Sequence, residues 1–325
     1  MKNVLVTGGC GFIGSNFIRL FLGSHPDWSV VNLDKLTYAG SLANTDDFST
    51  NKRYEFVHGD ICDRRMVESL IKRVDAVIHF AAETHVDRSI DNADDFLMTN
   101  FIGTRVLLEA ARLAGVRRFV HMSSDEVYGS IAEGAVSETA PLLPNSPYSA
   151  SKAAGDLMVR AYWMTYQYPA MIVRCSNNYG PYQFPEKVIP LFITNLLEGK
   201  TVPLYGKGEN RRDWIYVEDA CKGVELVFDQ GSEGEIYNLG AGNEKTNLEL
   251  THAILKTLNS DESKIRYVSD RPGHDFRYSV ETSKVRKLGF KPSVSFEEGL
   301  ERTVNWYRQN RSWWERLKRD KFTLK

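Results

Sequence analysis

Through the first half of the chain, short and nearly continuous apolar runs alternate with longer stretches whose apolar residues recur at helical spacing. The runs at residues 4–7, 29–33, 54–58, 76–80, 119–123 and 170–174 show little inside-outside alternation, so each predicts a strand buried on both faces. Between them, residues 94–114 carry Phe96, Phe101, Val106, Leu107 and Ala110 at the spacing of one helical face. Strands alternating with helices predict a parallel sheet covered by helices on both sides. After about residue 174 the alternation becomes irregular: Gly and Pro punctuate SNNYGPYQFPEK, a helix is predicted from Val188, and GENRRDW breaks the pattern again. The expected division is residues 1–174 as an α/β domain carrying the chemistry and residues 175–325 as a smaller substrate-binding α/β region, interleaved with the last strands of the sheet. The basic tail RLKRDKFTLK reads as a solvated terminus.

Composition narrows the partners. A chain of 325 residues, 42% hydrophobic, suits one large core or two modest ones. Its 41 basic residues balance 42 acidic ones, and no basic run exceeds a pair. That leaves no footprint for nucleic acid or an anionic membrane and favours a small, neutral-to-anionic ligand. Cys10, Cys62, Cys175 and Cys221 lie far apart without a C-x-x-C pair, which argues against a zinc site or disulfide framework and for reduced thiols in the cytoplasm. The opening MKNVLVTGG enters a strand pattern at once, unlike a signal peptide or a spanning segment.

The candidate chemistry lies at strand ends. Thr7-Gly8-Gly9-Cys10-Gly11-Phe12-Ile13-Gly14 joins the first strand to the first helix, where glycines permit a tight turn and close approach of backbone N–H groups to a pyrophosphate. Asp34 ends the second strand about twenty residues after the last glycine, as in a Rossmann-type, doubly wound parallel sheet. Its carboxylate suits both ribose hydroxyls and repels a 2′-phosphate, which favours NAD over NADP; Lys35 beside it weakens that argument. Asp60, in HGDI, is placed to meet the adenine edge, and Ala81 and Ala82 leave room for the cofactor. Tyr148 and Lys152 stand four residues apart on the helix that begins after Pro147. Such a pair is ordinary on a surface helix, but downstream of a dinucleotide turn it reads as a base and its ammonium partner. To act near neutrality the phenol must ionise about three pH units below its usual value near 10, about 4 kcal/mol. Ser124, at the end of the fifth strand, completes a hydroxyl, phenol and ammonium set.

The TGGCGFIG turn and the YSASK pair resemble the extended short-chain dehydrogenase/reductases, and SSDEVYG, AAETHVDRS, RCSNNYGPYQFPEK and NRRDW resemble that family's branch of sugar-nucleotide 4,6-dehydratases acting on dTDP-glucose. The resemblance spans essentially the whole chain. It departs at Ser124, where threonine is usual, and at Cys10, where alanine is; both changes are small. It implies a tightly held NAD, with Phe12, Ile13, Thr37 and Ile61 joining the cofactor contacts. Two carboxylates, Asp125 and Glu126, beside Tyr148 suit an elimination, in which one group takes a proton from carbon while another protonates the departing hydroxyl. The implied course is oxidation at C4 with Tyr148 as base, removal of the C5 proton by Glu126, donation by Asp125 to the C6 hydroxyl, and return of hydride to C6. Thr84, Asn177, Glu186 and Lys187 are expected near sugar and phosphates, Tyr205 and Asn247 near the base, and Arg212, Arg271, His274 and Tyr278 at the diphosphate and nucleoside. His85, Asp87 and Arg88 either share in binding or fix their loop. No ligand-spaced partners accompany His274, so no metal is expected. Helices over 94–114 and 148–166 are expected to form a homodimer interface. The alternatives are a UDP- or CDP-sugar dehydratase, a nucleotide-sugar 4-epimerase or decarboxylase, and a catalytically silent NAD-binding regulator.

Overall fold

Twelve strands are assigned among residues 1–323, the part of the chain that the computed structural model describes: β1 Lys2–Thr7, β2 Trp28–Asp34, β3 Tyr54–His58, β4 Ala76–His79, β5 Phe119–Ser124, β6 Ala170–Cys175, β7 Asn177–Tyr179, β8 Val202–Tyr205, β9 Arg211–Tyr216, β10 Ile236–Leu239, β11 Glu244–Thr246 and β12 Ile265–Val268. Seven form the central sheet in the order β10-β6-β5-β4-β1-β2-β3, every pair parallel. Successive side chains of a strand point to opposite faces. Val4 and Val6 accordingly join one buried layer with Phe17 and Ile18, while Leu5 joins the other with Val31, Leu33 and Val77. The strand order reverses between β1 and β4, and the crevice at their carboxyl ends is where such a sheet takes a ligand.

The second half builds a three-stranded sheet, β11-β9-β7, and a β12-β8 pair over an aromatic core that includes Tyr179, Trp214, Tyr216, Phe296 and Trp314. It also returns β10 to the central sheet beside β6. Three local expectations change. NRRDW lies largely in a strand rather than a break: Arg212 and Asp213 are buried, the arginine donating to backbone carbonyls and the aspartate accepting the Ala241 and Asn243 N–H groups. Residues 94–114 are not one regular helix, because a π-helical segment, Leu97–Gly103, separates Asp94–Phe96 from Thr104–Leu113. Within it, buried Asn100 accepts the Glu83 N–H and donates to the Glu83 carbonyl and to Ser151, which fixes the widened turn against neighbouring elements. The basic tail is helical to Thr323 and docks, Arg316 on Ser41 and Lys318 on Glu198; Leu324 and Lys325 lie outside the described residues. Among the described residues, no helix is long and apolar enough to cross a membrane.

Candidate active site

β1 ends at Thr7, and Gly11 stands at the N-cap of the Phe12–Ser24 helix. Gly8 has φ +73°, and a Cβ there would lie 2.6 Å from the Ala81 nitrogen; one on Gly14 would lie 2.2 Å from the Gly8 carbonyl oxygen. The turn is thus pressed against the end of β4, and the helix against the turn. Asp34 is fastened to the same turn: one carboxylate oxygen accepts the Cys10 N–H at 2.9 Å and the other the Leu36 N–H at 2.8 Å. Each oxygen keeps a further lone pair for a ligand hydroxyl. Lys35 is paired with Asp60 at 2.8 Å, so its ammonium is engaged with a carboxylate. A glycine cradle open to the helix N-terminus, with an anchored carboxylate at the end of β2, fits a dinucleotide.

One cavity, of about 290 Å³, runs from this cradle to the end of β5. Every residue expected to hold the cofactor lines it: Gly8, Gly11, Phe12, Ile13, Gly14, Asp34, Lys35, Thr37, Asp60, Ile61, Ala81, Ala82, Tyr148 and Lys152. So do Ser124, Asp125 and Glu126, and Thr84, Asn177, Glu186 and Lys187 from the sugar set. Tyr148 and Lys152 sit on the first turns of the Pro147–Tyr166 helix, held by a Ser146–Ser149 capping box and Pro147 in its first turn. Lys152 donates to the Met122 carbonyl at 2.7 Å, and burial pulls its pKa down to about 8, opposed by Asp156. Burial and then the charge of Glu126 push the Tyr148 phenol above its ordinary range, while a hydrogen bond from Ser124 works the other way. The protein's own groups therefore favour the phenol, and use of Tyr148 as a base calls for added positive charge at its ring.

The two carboxylates diverge. β5 ends at Ser124, whose hydroxyl caps the 3-10 turn Asp125–Tyr128 by accepting the Glu126 N–H at 3.2 Å. Asp125 is only 2% exposed; burial, then the charge of Glu126, raise its pKa well above the usual carboxylate range. Glu126 is also raised by burial, but there Arg212, Arg271 and Lys187 all oppose the shift. Within the pair the proton belongs on Asp125 and the negative charge on Glu126.

The remaining nucleotide-end residues stand outside the lining of that cavity. Arg271 and Tyr205 both meet Asp87, at 2.9 and 3.3 Å, and His274 meets Asp270 at 2.6 Å. Arg212 spends its guanidinium on the Arg211 and Asp275 carbonyls and lies 4.2 Å from the centre of the Tyr278 ring. Tyr278 donates to Asp275 at 2.7 Å and lies 3.4 Å from a Glu126 oxygen. Asn247 opens the Asn247–Thr257 helix, its N–H donating to the Asn210 carbonyl. His85 caps the Val86–Asp91 helix, while Arg88 pairs with Glu186 and covers the Tyr38 ring, so this loop is tied to the second half.

Two features escaped the sequence. Glu83 lines the cavity with burial, then Asp95, raising its pKa to about 7. On the Pro147–Tyr166 helix itself, Asp156 binds Arg174 at 2.7 Å, with His121 3.5 Å away, all nearly fully buried. The first carries no sequence signal; the second does, since Asp156 continues the four-residue spacing of Tyr148 and Lys152.

Comparison with known proteins agrees with this geometry. The model of the family described as GDP-mannose 4,6 dehydratase matches residues 5–303. A dTDP-glucose 4,6-dehydratase from Streptomyces niveus is 54% identical over 320 residues, 97% of this chain and 95% of that protein. Among solved structures, a double mutant of the dTDP-glucose 4,6-dehydratase DesIV from Streptomyces venezuelae, with NAD bound, superimposes with a TM-score of 0.95 at 54% identity, covering 98% of this chain and 100% of that one. The dTDP-glucose 4,6-dehydratase of Bacillus anthracis in complex with NAD gives a TM-score of 0.91 at 46% identity, covering 98% and 100%.

Proposed function

This chain belongs to the GDP-mannose 4,6 dehydratase family, and on that premise we propose that it dehydrates dTDP-glucose to dTDP-4-keto-6-deoxyglucose, a hydro-lyase reaction that uses NAD. The observation that carries the reading is the division of labour between Asp125 and Glu126 in the cavity of Tyr148 and Lys152. Oxidising or inverting an alcohol needs no such pair; elimination of water does.

NAD, when bound, supplies a hydride acceptor for C4 and gives the hydride back at C6. Tyr148 takes the C4 hydroxyl proton, and the Lys152 ammonium four residues on stabilises the phenolate. With a carbonyl at C4 the C5 proton is acidic, and Glu126, kept ionised by its cationic neighbours, removes it. Asp125, kept protonated, donates to the C6 hydroxyl as water leaves. Thr84, Asn177, Glu186 and Lys187 border the sugar and phosphates. Tyr205, Asn247, Arg212, Arg271, His274 and Tyr278 serve the nucleoside end, for which Arg271 and Tyr205 must give up Asp87.

The division into residues 1–174 and 175–325 belongs to this proposal, as does a cytoplasmic, homodimeric enzyme. Leu97, Met98, Leu113, Leu157, Met164 and Tyr166 are all exposed on the two helical stretches expected at the interface, which supports pairing of two copies there. Sedimentation at micromolar concentration tests it. The function is tested by incubating the NAD-loaded protein separately with dTDP-glucose and UDP-glucose and following the alkaline absorbance of the keto sugar. Product from dTDP-glucose, lost in Glu126→Gln, is expected; no keto sugar from either substrate would refute the dehydratase reading.

A further inference from the structure

The two pairs of groups that dehydration needs sit on different elements. Tyr148 and Lys152, which serve C4, belong to the Pro147–Tyr166 helix, while Asp125 and Glu126, which serve C6 and C5, belong to the 3-10 turn Asp125–Tyr128. C4, C5 and C6 are consecutive atoms of one sugar, so a shift of the turn against the helix would misplace the second pair and leave the first intact. Resting on the dehydratase reading, we infer that Arg174 and Tyr128 are positioning residues for the elimination, tying the acid–base turn to the catalytic helix through a buried chain of hydrogen bonds outside the cavity.

The chain is continuous. Arg174, on β6, donates from Nε to Asp156 Oδ2 at 2.7 Å and from Nη1 to the Tyr128 hydroxyl oxygen at 2.7 Å. Asp156 stands one turn beyond Lys152 on the helix, and Tyr128 closes the turn that Asp125 opens. The Tyr128 hydroxyl donates in its turn to Asn238 Oδ1 on β10 at 2.7 Å, and the Asn238 amide donates to the Val136 carbonyl at 3.0 Å. Arg174 also donates to the Glu138 carbonyl at 3.2 Å, and its guanidinium lies 4.8 Å from the centre of the Tyr128 ring. All four side chains are buried, and none of them lines the cavity. A buried ion pair stabilises a fold little beyond what apolar packing would; a guanidinium fork, by contrast, holds two acceptors at a set separation. Of the two elements it joins, the turn is the easier to displace. It has four residues, held by the Glu126 N–H on Ser124 at 3.2 Å, the Gly129 N–H on the Glu126 carbonyl at 3.2 Å and the Leu143 N–H on the Val127 carbonyl at 3.1 Å. The helix has 20 residues and a capping box. Loss of the tie therefore moves Asp125 and Glu126 rather than Tyr148 and Lys152.

Stopped-flow traces of the NAD-loaded protein with dTDP-glucose separate the two steps, because oxidation at C4 produces the absorbance of reduced nicotinamide and hydride return to C6 consumes it. In Tyr128→Phe, which removes one hydroxyl and keeps the ring, oxidation should hold its rate while elimination slows about tenfold to a hundredfold. Reduced nicotinamide should then build up well beyond its level in the unaltered protein. Arg174→Lys keeps a charge for Asp156 but has no fork to reach Tyr128 as well, and should give the same trace. NAD should stay bound through gel filtration in both variants. Without substrate, amide hydrogen exchange at Glu126 and Gly129 should quicken about tenfold in Tyr128→Phe, the worth of one hydrogen bond. A purely stabilising chain would lower Tm and leave the ratio of the two steps unchanged. If both variants give the unaltered trace, or slow oxidation and elimination together, or lose NAD or the fold, the positioning role is overturned while the dehydratase reading stands. If the unaltered protein makes no keto sugar, both fall.

Discussion

The same change, glycine to alanine, should have different consequences at three positions of one turn. At Gly14 the added Cβ would lie 2.2 Å from the Gly8 carbonyl oxygen and 2.8 Å from the Gly9 Cα, and these backbone atoms cannot rotate aside. Overpacking of that kind costs about 1–3 kcal/mol, and this site belongs at the upper end. At Gly8 the Cβ would meet the Ala81 nitrogen at 2.6 Å, and φ +73° adds the left-handed penalty of about 1–2 kcal/mol, for a total of about 2–5 kcal/mol. At Gly11 φ is −83° and the nearest atom is 3.2 Å away, so the fold should lose no more than about 1 kcal/mol. Gly11 is the N-cap of that helix and lines the cavity, so a methyl there adds bulk where a pyrophosphate approaches the helix N–H groups. For a chain of this size 1 kcal/mol moves Tm by about 2 °C. Calorimetry of the NAD-free proteins should show Gly8→Ala lowered by about 4–10 °C, Gly14→Ala by about 6 °C and Gly11→Ala by about 2 °C or less. NAD retention through gel filtration should nevertheless be lost in Gly11→Ala. A Gly14→Ala protein with unaltered Tm, or a Gly11→Ala protein that keeps its cofactor, would refute this account of the turn.

Breaking the buried Asp156–Arg174 pair with Asp156→Asn should cost about 3–5 kcal/mol in urea unfolding, because it leaves the guanidinium buried without its counter-charge. Against its own burial, His121 and Arg174 hold Asp156 below 3.8, so its contribution should be present above that pH and fade as pH falls through the folded value. Turnover should fall as pH rises past about 8, where Lys152 loses the proton that stabilises a phenolate; Lys152→Arg, which stays charged, should move that limb upward in a kcat profile. Asp34→Asn should weaken NAD by about 1–3 kcal/mol in calorimetric titration while narrowing its preference over NADP. Lys35→Ala, which breaks only an exposed ion pair, should alter stability by less than about 1 kcal/mol.

What the sequence made legible was set by how locally each feature is determined. Five of the six leading strands stand out because both their faces are largely buried, which removes polar positions from the run, whereas β3, at the edge of the sheet, keeps Glu55 and His58 exposed. The cofactor end is legible for a related reason: Gly8 and Gly14 answer to contacts within one turn, and Asp34 ends an adjacent strand. β9 hides because its Arg212 and Asp213 are polar yet buried, satisfied by carbonyls and amides from residues 28 to 63 positions away. The π-helical turn hides because its cause, Asn100 bridging Glu83 and Ser151, is tertiary. The residues at the nucleoside end could be named from motifs, but not their packing: Arg271 and Tyr205 converge on Asp87, more than a hundred positions earlier in the chain.

The roles of Asp125 and Glu126 show the limit most sharply. A strand end carrying two adjacent carboxylates suggests an acid and a base, and nothing in the adjacency says which is which. Asp125 is buried and Glu126 partly so, and for both burial is the largest influence, in the same direction. The tie is broken by the next influences: for Asp125 it is the negative charge of Glu126, and for Glu126 it is the positive charge of Arg212, then Arg271 and Lys187. Arg212 opposes the rise at both, but at Asp125 the negative charge of Glu126 outweighs it. Three cations drawn from the second half of the chain thus decide a proton's position on the first half. An arginine that never touches the sugar would still govern the elimination, by keeping Glu126 a base and leaving Asp125 an acid.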